Sequence, residues 1–354
     1  MRFTVLTPEE FTEYGNQSPY RSFAETTEIA TLREKSGWVP YYLGIKDEKD
    51  KILAATLLVA KPTFLGKSTF IAPGGPLLDF EDEVLTTYFI KSLRSFIKSH
   101  NGYVLQISPN YELIERDRDG NPIPNGFNRR KARGNLSKLG FVEITSSQPK
   151  YQFAMDIENR TIDELQADLK RNTRNHIRKA EKAGVKIREL NRDELSKFKK
   201  ITESTSERRH FEDRPLSYYE EMYDLFHDKK EIMYLLAETP DGKTPLSAAM
   251  FMLFGDEIIY LFSGSDEKYM REFNAQYLIQ WHMIKYAADH HFKRYNFYGI
   301  SGLPKNGDLD GIYEFKKGFD TKHGKVIELI GTYELKLSLL AHLHAFLSKI
   351  KNRK

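Results

Sequence analysis

One order of elements occurs twice along this chain, and a repeat of that kind leaves few folds open. From Tyr41 an apolar run reaches a charged turn at Lys46 to Lys51 and a second run, Ile52 to Ala60, which is a hairpin signal. Thr69 to Ile71, the turn Ala72-Pro73-Gly74-Gly75-Pro76, a helix-period stretch from Val84 to Lys98 and a strand from Tyr103 to Ile107 follow. The second half repeats this with Ile232 to Ala237, a turn at Pro240-Asp241-Gly242, Leu246 to Phe254 and Ile258 to Phe262. After Ser263-Gly264-Ser265 come a helix-period stretch, Ala275 to Ala288, and the strand Tyr295 to Tyr298. Hairpins give antiparallel neighbours and a strand-helix-strand step gives a parallel pair, so each half predicts a mixed sheet flanked by helices.

That order is the one found in the acyl-CoA N-acetyltransferase (GNAT) superfamily. The expected fold class is therefore α/β (α+β), with two tandem GNAT-like domains at 1–150 and 151–331. A C-terminal helix, 332–354, is expected to pack back on the first.

At 354 residues, 40% hydrophobic and 13% aromatic, the chain can bury two cores of ordinary size. It has no cysteine, which excludes a disulfide framework, a thiolate nucleophile and a Cys-ligated metal. A start of MRFTVLTPEEF and the lack of any run of about 18 apolar residues predict a cytoplasmic protein that neither spans a membrane nor carries a signal peptide. The net charge of +4 makes no demand for a nucleic-acid partner, so local clusters matter more.

One such cluster lies between the repeats. Thr161 with Glu164 makes a capping box, Gly184 suits a helix end, and Ile162, Leu165, Leu169, Ile177 and Ala180 form an apolar stripe, predicting a basic helix over 161–184. Arg171, Arg174, Arg178 and Lys182 line up along another side of it. Such a face is ordinarily just solvated; a phosphate-bearing partner is the alternative, since the stripe is almost free of acids until Glu181. At the C-terminus Leu339, Leu340, Leu343, Phe346, Leu347 and Ile350 make an apolar helix face followed by Lys349, Lys351, Arg353 and Lys354. It docks on its own protein or lies on an anionic membrane surface.

The stretch Tyr295 to Phe319 carries a short aromatic strand into a Gly-rich loop and then the pair Lys316-Lys317, placed to hold a negatively charged group. No P-loop, dinucleotide fingerprint, H-E-x-x-H or G-x-S-x-G occurs. His290-His291 point to different sides of a helix, so no metal or other cofactor is expected.

Four segments together carry a more specific likeness: Phe70 to Phe80 (FIAPGGPLLDF), Asn172 to Ile187 (NTRNHIRKAEKAGVKI), Ala275 to Gly302 (AQYLIQWHMIKYAADHHFKRYNFYGISG) and Gly311 to Phe319 (GIYEFKKGF). In this order they resemble the FemABX peptidyltransferases, which transfer amino acids from aminoacyl-tRNA to the peptide stem of peptidoglycan precursors. The resemblance implies two acetyltransferase-like halves. Because Met222 to Phe226 passes almost directly to Ile232, there is no room for the helical-hairpin arm of members that use lipid-linked precursor. The chain thus resembles the compact, armless members that use UDP-MurNAc-pentapeptide rather than lipid II, although its basic tail argues for peripheral contact with the inner face of the membrane.

Carried over by motif, Lys35, in EKSGW with Trp38, and Arg214 match the ligands of the nucleotide-sugar diphosphate. Tyr218 and Tyr260 match two further substrate-binding tyrosines, and Phe315-Lys316 matches the pair at the reacting ester. Arg209 or Arg208 is the alternative diphosphate ligand, and Lys317 the alternative to Lys316. The basic residues Arg171, Arg174, Arg178 and Lys182 are then expected to meet the tRNA. Relatives carry Asp-Pro after the last strand of the first half, whereas this chain has Ser108-Pro109, which puts a protein base there in doubt.

These readings predict a monomeric aminoacyltransferase that begins an interpeptide bridge on the side-chain amine of the third stem residue. Two rivals stay open: an N-acyltransferase of the same fold with an acyl-thioester donor, for which the turn Ala72 to Pro76 is the argument, and a non-catalytic RNA-binding protein using the basic helix.

Overall fold

The structure, a computed structural model, describes residues 1–63, 66–304 and 311–338. Among these the strands are β1 (Arg2–Val5), β2 (Val39–Lys46), β3 (Ile52–Pro62), β4 (Ser68–Ala72), β5 (Gly102–Ile107), β6 (Glu112–Asp117), β7 (Val142–Ile144) and β8 (Tyr151–Asp156). They continue with β9 (Lys186–Glu189), β10 (Ile232–Glu238), β11 (Pro245–Phe254), β12 (Glu257–Ser265), β13 (Arg294–Ile300), β14 (Gly324–Leu329) and β15 (Thr332–Lys336). The helices are α1 (Pro8–Gln17), α2 (Thr27–Lys35), α3 (Glu83–Ser99), α4 (Arg130–Lys138), α5 (Ile162–Ala167), α6 (Arg171–Lys182), α7 (Leu195–Arg209), α8 (Leu216–Phe226), α9 (Glu267–Phe273), α10 (Ala275–Asp289) and α11 (Gly311–Lys317). None is long and apolar enough to cross a membrane.

Two compact units result: Met1–Glu115 with Pro124–Lys150 and Glu328–Lys354, and Arg116–Ile123 with Tyr151–Ile327. The sequence places the divisions at 150 and 331, whereas 116–123 joins the second unit and the chain rejoins the first at Glu328. A second correction concerns 332–354. Thr332–Lys336 is a strand, held because its backbone pairs on one side with β5 and on the other with β7. The apolar and basic residues from Leu339 onward lie outside the described residues.

In the first unit the sheet runs β1-β2-β3-β4-β5-β15-β7. Its helix α3 starts where the Asp82 carboxylate accepts the N–H of Leu85 at 2.9 Å. It then buries Phe89, Ile90, Leu93 and Ile97, one face at helical spacing, against Phe70 and Leu105 of the sheet. The second sheet runs β6-β14-β8-β13-β12-β11-β10-β9. Here α10 buries Ile279, Met283, Ile284 and Ala287 on Phe251, Tyr295 and Phe297. The hairpins β2-β3 and β10-β11 are antiparallel, and the strand-helix-strand steps β4-α3-β5 and β12-α10-β13 are parallel, as the repeat predicts.

The two copies differ where it matters. In the first unit the parallel ladder runs from Ser68 and Gly102 to Ala72 and Ile107, and N–H bonds from Ser108 to Ala72 O (3.1 Å) and Asn110 to Gly74 O (3.0 Å) extend it. In the second it covers only Glu257 to Ile259 on β12 and Arg294 to Asn296 on β13. Both strands continue, β12 pairing with β11 as far as Ser265 and β13 with β8 as far as Ile300. Their facing edges are therefore unladdered over 260–265 and 297–300. A gap of this kind exposes backbone groups and side chains at the end of a rigid sheet, the usual place for a site in a mixed α/β fold.

Candidate active site

Lys316 meets that gap. The sequence puts it just after a Gly-rich loop; the structure puts it on the short helix α11, where Tyr313 and Lys316, three residues apart, are the buried side chains. Several bonds clamp the C-terminus of α11. The Arg118 guanidinium donates to the carbonyls of Lys317 and Asp320, each at 3.2 Å, as a cation suits a helix C-terminus. The Lys170 N–H donates to Gly318 O at 2.8 Å, and Arg160 donates to the buried Asp320 carboxylate at 2.7 Å. Lys317 is turned to Asp119, with which it is paired. The Lys316 ammonium, on a residue only 6% exposed, donates to Gly299 O of β13 at 2.5 Å and lies 5.9 Å from the Tyr260 ring centroid of β12. A buried ammonium needs such partners. Here they come from both strands of the gap.

The Gly299 carbonyl is aimed by a bulge. The β13-β8 register shifts between Asn296 and Gly299, and within it Tyr298 has φ 64°, a left-handed conformation that non-glycine residues rarely adopt. Asn296 Oδ1 accepts the Tyr298 N–H at 2.7 Å, while its amide donates to Gln152 (2.7 Å) and Glu257 (3.0 Å). Burial pushes the Tyr298 phenol up, helped by the nearby Tyr218 and Glu257. Burial likewise lifts Tyr260 to about 12, against the Ser263 hydrogen bond and the positive charge of Arg209, so Tyr260 stays neutral at physiological pH.

Of the other expected residues, Arg214 lies 5.3 Å from the Tyr218 ring, which stands edge-on to Phe262 of β12 at 6.1 Å. Arg209 and Arg214 are exposed, and the Nε of Arg208 is buried without a hydrogen-bond partner. Phe315 packs against Tyr277 (4.9 Å) and Phe319 (5.3 Å), part of an aromatic wall on which α11 rests. Lys35 and Trp38 belong to the first unit. Lys35 is the exposed last residue of α2, and the Trp38 ring carries Arg33 at 5.7 Å and Lys61 at 5.5 Å.

The helix expected over 161–184 is two helices, α5 and α6, broken at 168–170. Groups that would continue it are taken elsewhere: Asp168 O accepts the N–H and hydroxyl of Thr321, each at 2.8 Å, and the buried Asp168 carboxylate accepts from Arg160 at 2.7 Å. Arg171, Arg178 and Lys182 are exposed on α6. Arg174 instead turns back to donate to Leu169 O at 3.0 Å, in the break between the two helices.

The turn Ala72 to Pro76 is already in use. The Glu25 carboxylate, buried and missed in the sequence, accepts N–H groups of Leu57 (2.6 Å) and Gly74 (3.4 Å), and a Cβ on Gly75 would meet it at 2.6 Å. A pyrophosphate would need the N–H that Glu25 holds, which weakens the acyl-thioester reading. Ser108 is equally engaged, its hydroxyl 3.0 Å from that of Thr332.

A sequence model described as the FemAB family matches residues 6–241 and 235–349. The chain is 26% identical to "Aminoacyltransferase FemA" of Staphylococcus aureus (strain bovine RF122 / ET3-1) over 422 residues, covering 100% of each chain. A crystal structure of FemX superposes with a TM-score of 0.78 at 20% identity, covering 95% of this chain and 97% of that one. A tandem GNAT protein from the clavulanic acid biosynthesis pathway follows at TM-score 0.56 and 8% identity, with 95% and 98% covered. The fold is that of two tandem GNAT-like domains. As in a compact member, α8 passes to β10 through residues 227–231 with no helical arm between them.

Proposed function

Because this chain belongs to the FemAB family, we propose that it is an aminoacyltransferase that moves an amino acid from aminoacyl-tRNA to the stem-peptide side-chain amine of a peptidoglycan precursor. The soluble UDP-MurNAc-pentapeptide is the acceptor we favour, lipid II the alternative. The family relatives named as aminoacyltransferases support the reaction class. The observation that carries the reading is the Lys316 ammonium held between Gly299 and Tyr260, where the parallel strands lose their ladder.

The donor ester is already activated, so the acceptor amine, as free base, attacks its carbonyl carbon directly. The C–N bond forms, the carbonyl oxygen gains negative charge, and Lys316 stabilises that oxyanion. As the tetrahedral intermediate collapses, the ester C–O bond breaks and the ribose oxygen leaves with the proton that the amine sheds. A substrate carboxylate or the neighbouring ribose hydroxyl relays that proton, since Ser108 offers no base. Within the second unit Arg214, Arg209 and Tyr218 bind the acceptor's anionic part. In the first unit, Lys35 and Trp38 are further residues proposed for acceptor binding. Exposed Arg171, Arg178 and Lys182 meet the RNA phosphates. The aminoacyl-tRNA donor places the reaction in the cytoplasm.

The test is transfer of radiolabelled amino acid from a mixed aminoacyl-tRNA pool to UDP-MurNAc-pentapeptide, with lipid II in parallel. Label in the soluble precursor is expected. Label in lipid II alone would change the acceptor, and label in neither would overturn the reading.

A further inference from the structure

The Lys316 ammonium is aimed partly by the Tyr260 ring beneath it, so whatever fixes that ring fixes the cation. The hydroxyl end of Tyr260 touches Ser263 Oγ and accepts the Gln276 Nε2–H at 2.8 Å. Gln276 is the second residue of α10, and its other amide atom, Oε1, lies 2.5 Å from Ser247 Oγ, whose one proton is shared between it and Gly264 O at 2.8 Å. Ser247 is completely buried in β11 and lies 2.7 Å from Ser265 Oγ of β12. The amide is thus gripped at both ends, by β11 through Ser247 and by β12 through Tyr260. With Gln276 donating, the one phenol proton of Tyr260 is left for Ser263. A side chain without the amide would leave Tyr260 a single hydroxyl partner and Ser247 facing an apolar group.

We propose that Gln276 is a positioning residue for the transfer reaction: it holds the Tyr260 phenol, and through the Tyr260 ring it holds the Lys316 ammonium at the reacting ester. This rests on the reading of Lys316 given above. Gln276 touches neither substrate in this account, so its loss lowers the rate of the chemical step and leaves acceptor binding alone. A shift of the cation by about 1 Å is expected to cost up to about a hundredfold.

Two measurements test it. The first is a double-mutant cycle in kcat with Gln276→Leu, Tyr260→Phe and the pair, beside Lys316→Met. The expected result is a loss of about tenfold or more for Gln276→Leu with acceptor KM changed less than about threefold, and no further loss when it is added to Tyr260→Phe. Multiplicative losses, or a normal Gln276→Leu rate beside a dead Lys316→Met, would overturn the inference and spare the reading. A wild type without transfer, or a normal Lys316→Met, would remove the reading and this role with it. The second needs no substrate: in protein labelled with 3-fluorotyrosine, the resonance lost in Tyr260→Phe belongs to Tyr260. Gln276→Leu should move that resonance, and an unmoved one would overturn the inference. If Gln276→Leu does not fold, Gln276→Met, of similar length, replaces it.

Discussion

Asn296 accepts the main-chain N–H of Tyr298 at 2.7 Å, and this bond holds a tyrosine in a left-handed conformation at φ 64°. The strain sits one residue before the carbonyl that receives the Lys316 ammonium, so it belongs to the means of aiming that carbonyl. Asn296→Ala removes the anchor and leaves the Gln152 carbonyl oxygen without its 2.7 Å donor. A loss of about 1–3 kcal/mol in unfolding free energy is expected, with a fall in transfer rate beyond what the remaining folded fraction explains. Denaturant midpoints and kcat measured on one preparation check it, and unchanged stability would remove the anchor.

Gly318 lets α11 and α6 approach closely. A Cβ there would collide with Thr173 Oγ1 and lie 3.2 Å from Phe315 O. Gly318→Ala is expected to lower stability by about 1–3 kcal/mol. Adding Thr173→Ala should restore part of that, because the nearest clash is with a side chain; thermal unfolding of the three variants reads it.

Glu25 makes stability depend on pH. Burial raises its carboxyl to about 8, against hydrogen bonds from Leu57, Gly74 and Thr56 that pull it down. The folded chain therefore keeps a proton that the unfolded chain releases in the ordinary carboxylate range. The stabilisation is complete below the unfolded pKa and is lost as pH rises through about 8. Urea midpoints between pH 5 and 8 should fall for the wild type, with a contribution of up to about 1.4 kcal/mol per pH unit. Glu25→Gln should flatten that slope, and equal slopes would contradict the assignment.

Along α6 the arginines should separate by function. Arg178 is exposed, while Arg174 donates to Leu169 O. Arg178→Ala is expected to weaken binding of the RNA donor and reduce its salt dependence by about one phosphate contact, at unchanged stability. Arg174→Ala is expected to act mainly on stability, by about 0.5–1.5 kcal/mol. Binding titrations at several salt concentrations, paired with unfolding curves, distinguish the two.

The repeated architecture is legible because hairpins, the helix periods of α3 and α10, and Gly-containing turns are local patterns, and each half spells them out. Lys316 is legible as a residue, through its motif, but its direction is not. That depends on Arg118 and Asp119, some two hundred positions away in the sequence, clamping α11 and engaging Lys317. The break at 168–170 escapes for the same reason: Thr161 to Gly184 has a continuous helical stripe, and only Thr321 and Gly318 show why the chain stops. Thr332–Lys336 is too short to declare itself a strand without β5 and β7 beside it. The polar chain from Ser247 through Gln276 to Tyr260 leaves no sequence signal, since serines and a glutamine at those spacings are commonplace until three elements bring them together.

The most direct test of the account compares Lys316→Met with Lys317→Met in single-turnover transfer from aminoacyl-tRNA to UDP-MurNAc-pentapeptide. Lys316→Met should lose about a hundredfold to a thousandfold in rate, as expected for removing an oxyanion-stabilising group, while Lys317→Met, which breaks the pair with Asp119 and the contact with the Tyr313 ring, should stay within about threefold of wild type. Equal losses in the two variants, or near-wild-type transfer by Lys316→Met, would contradict the assignment of Lys316 as the cation at the reacting ester.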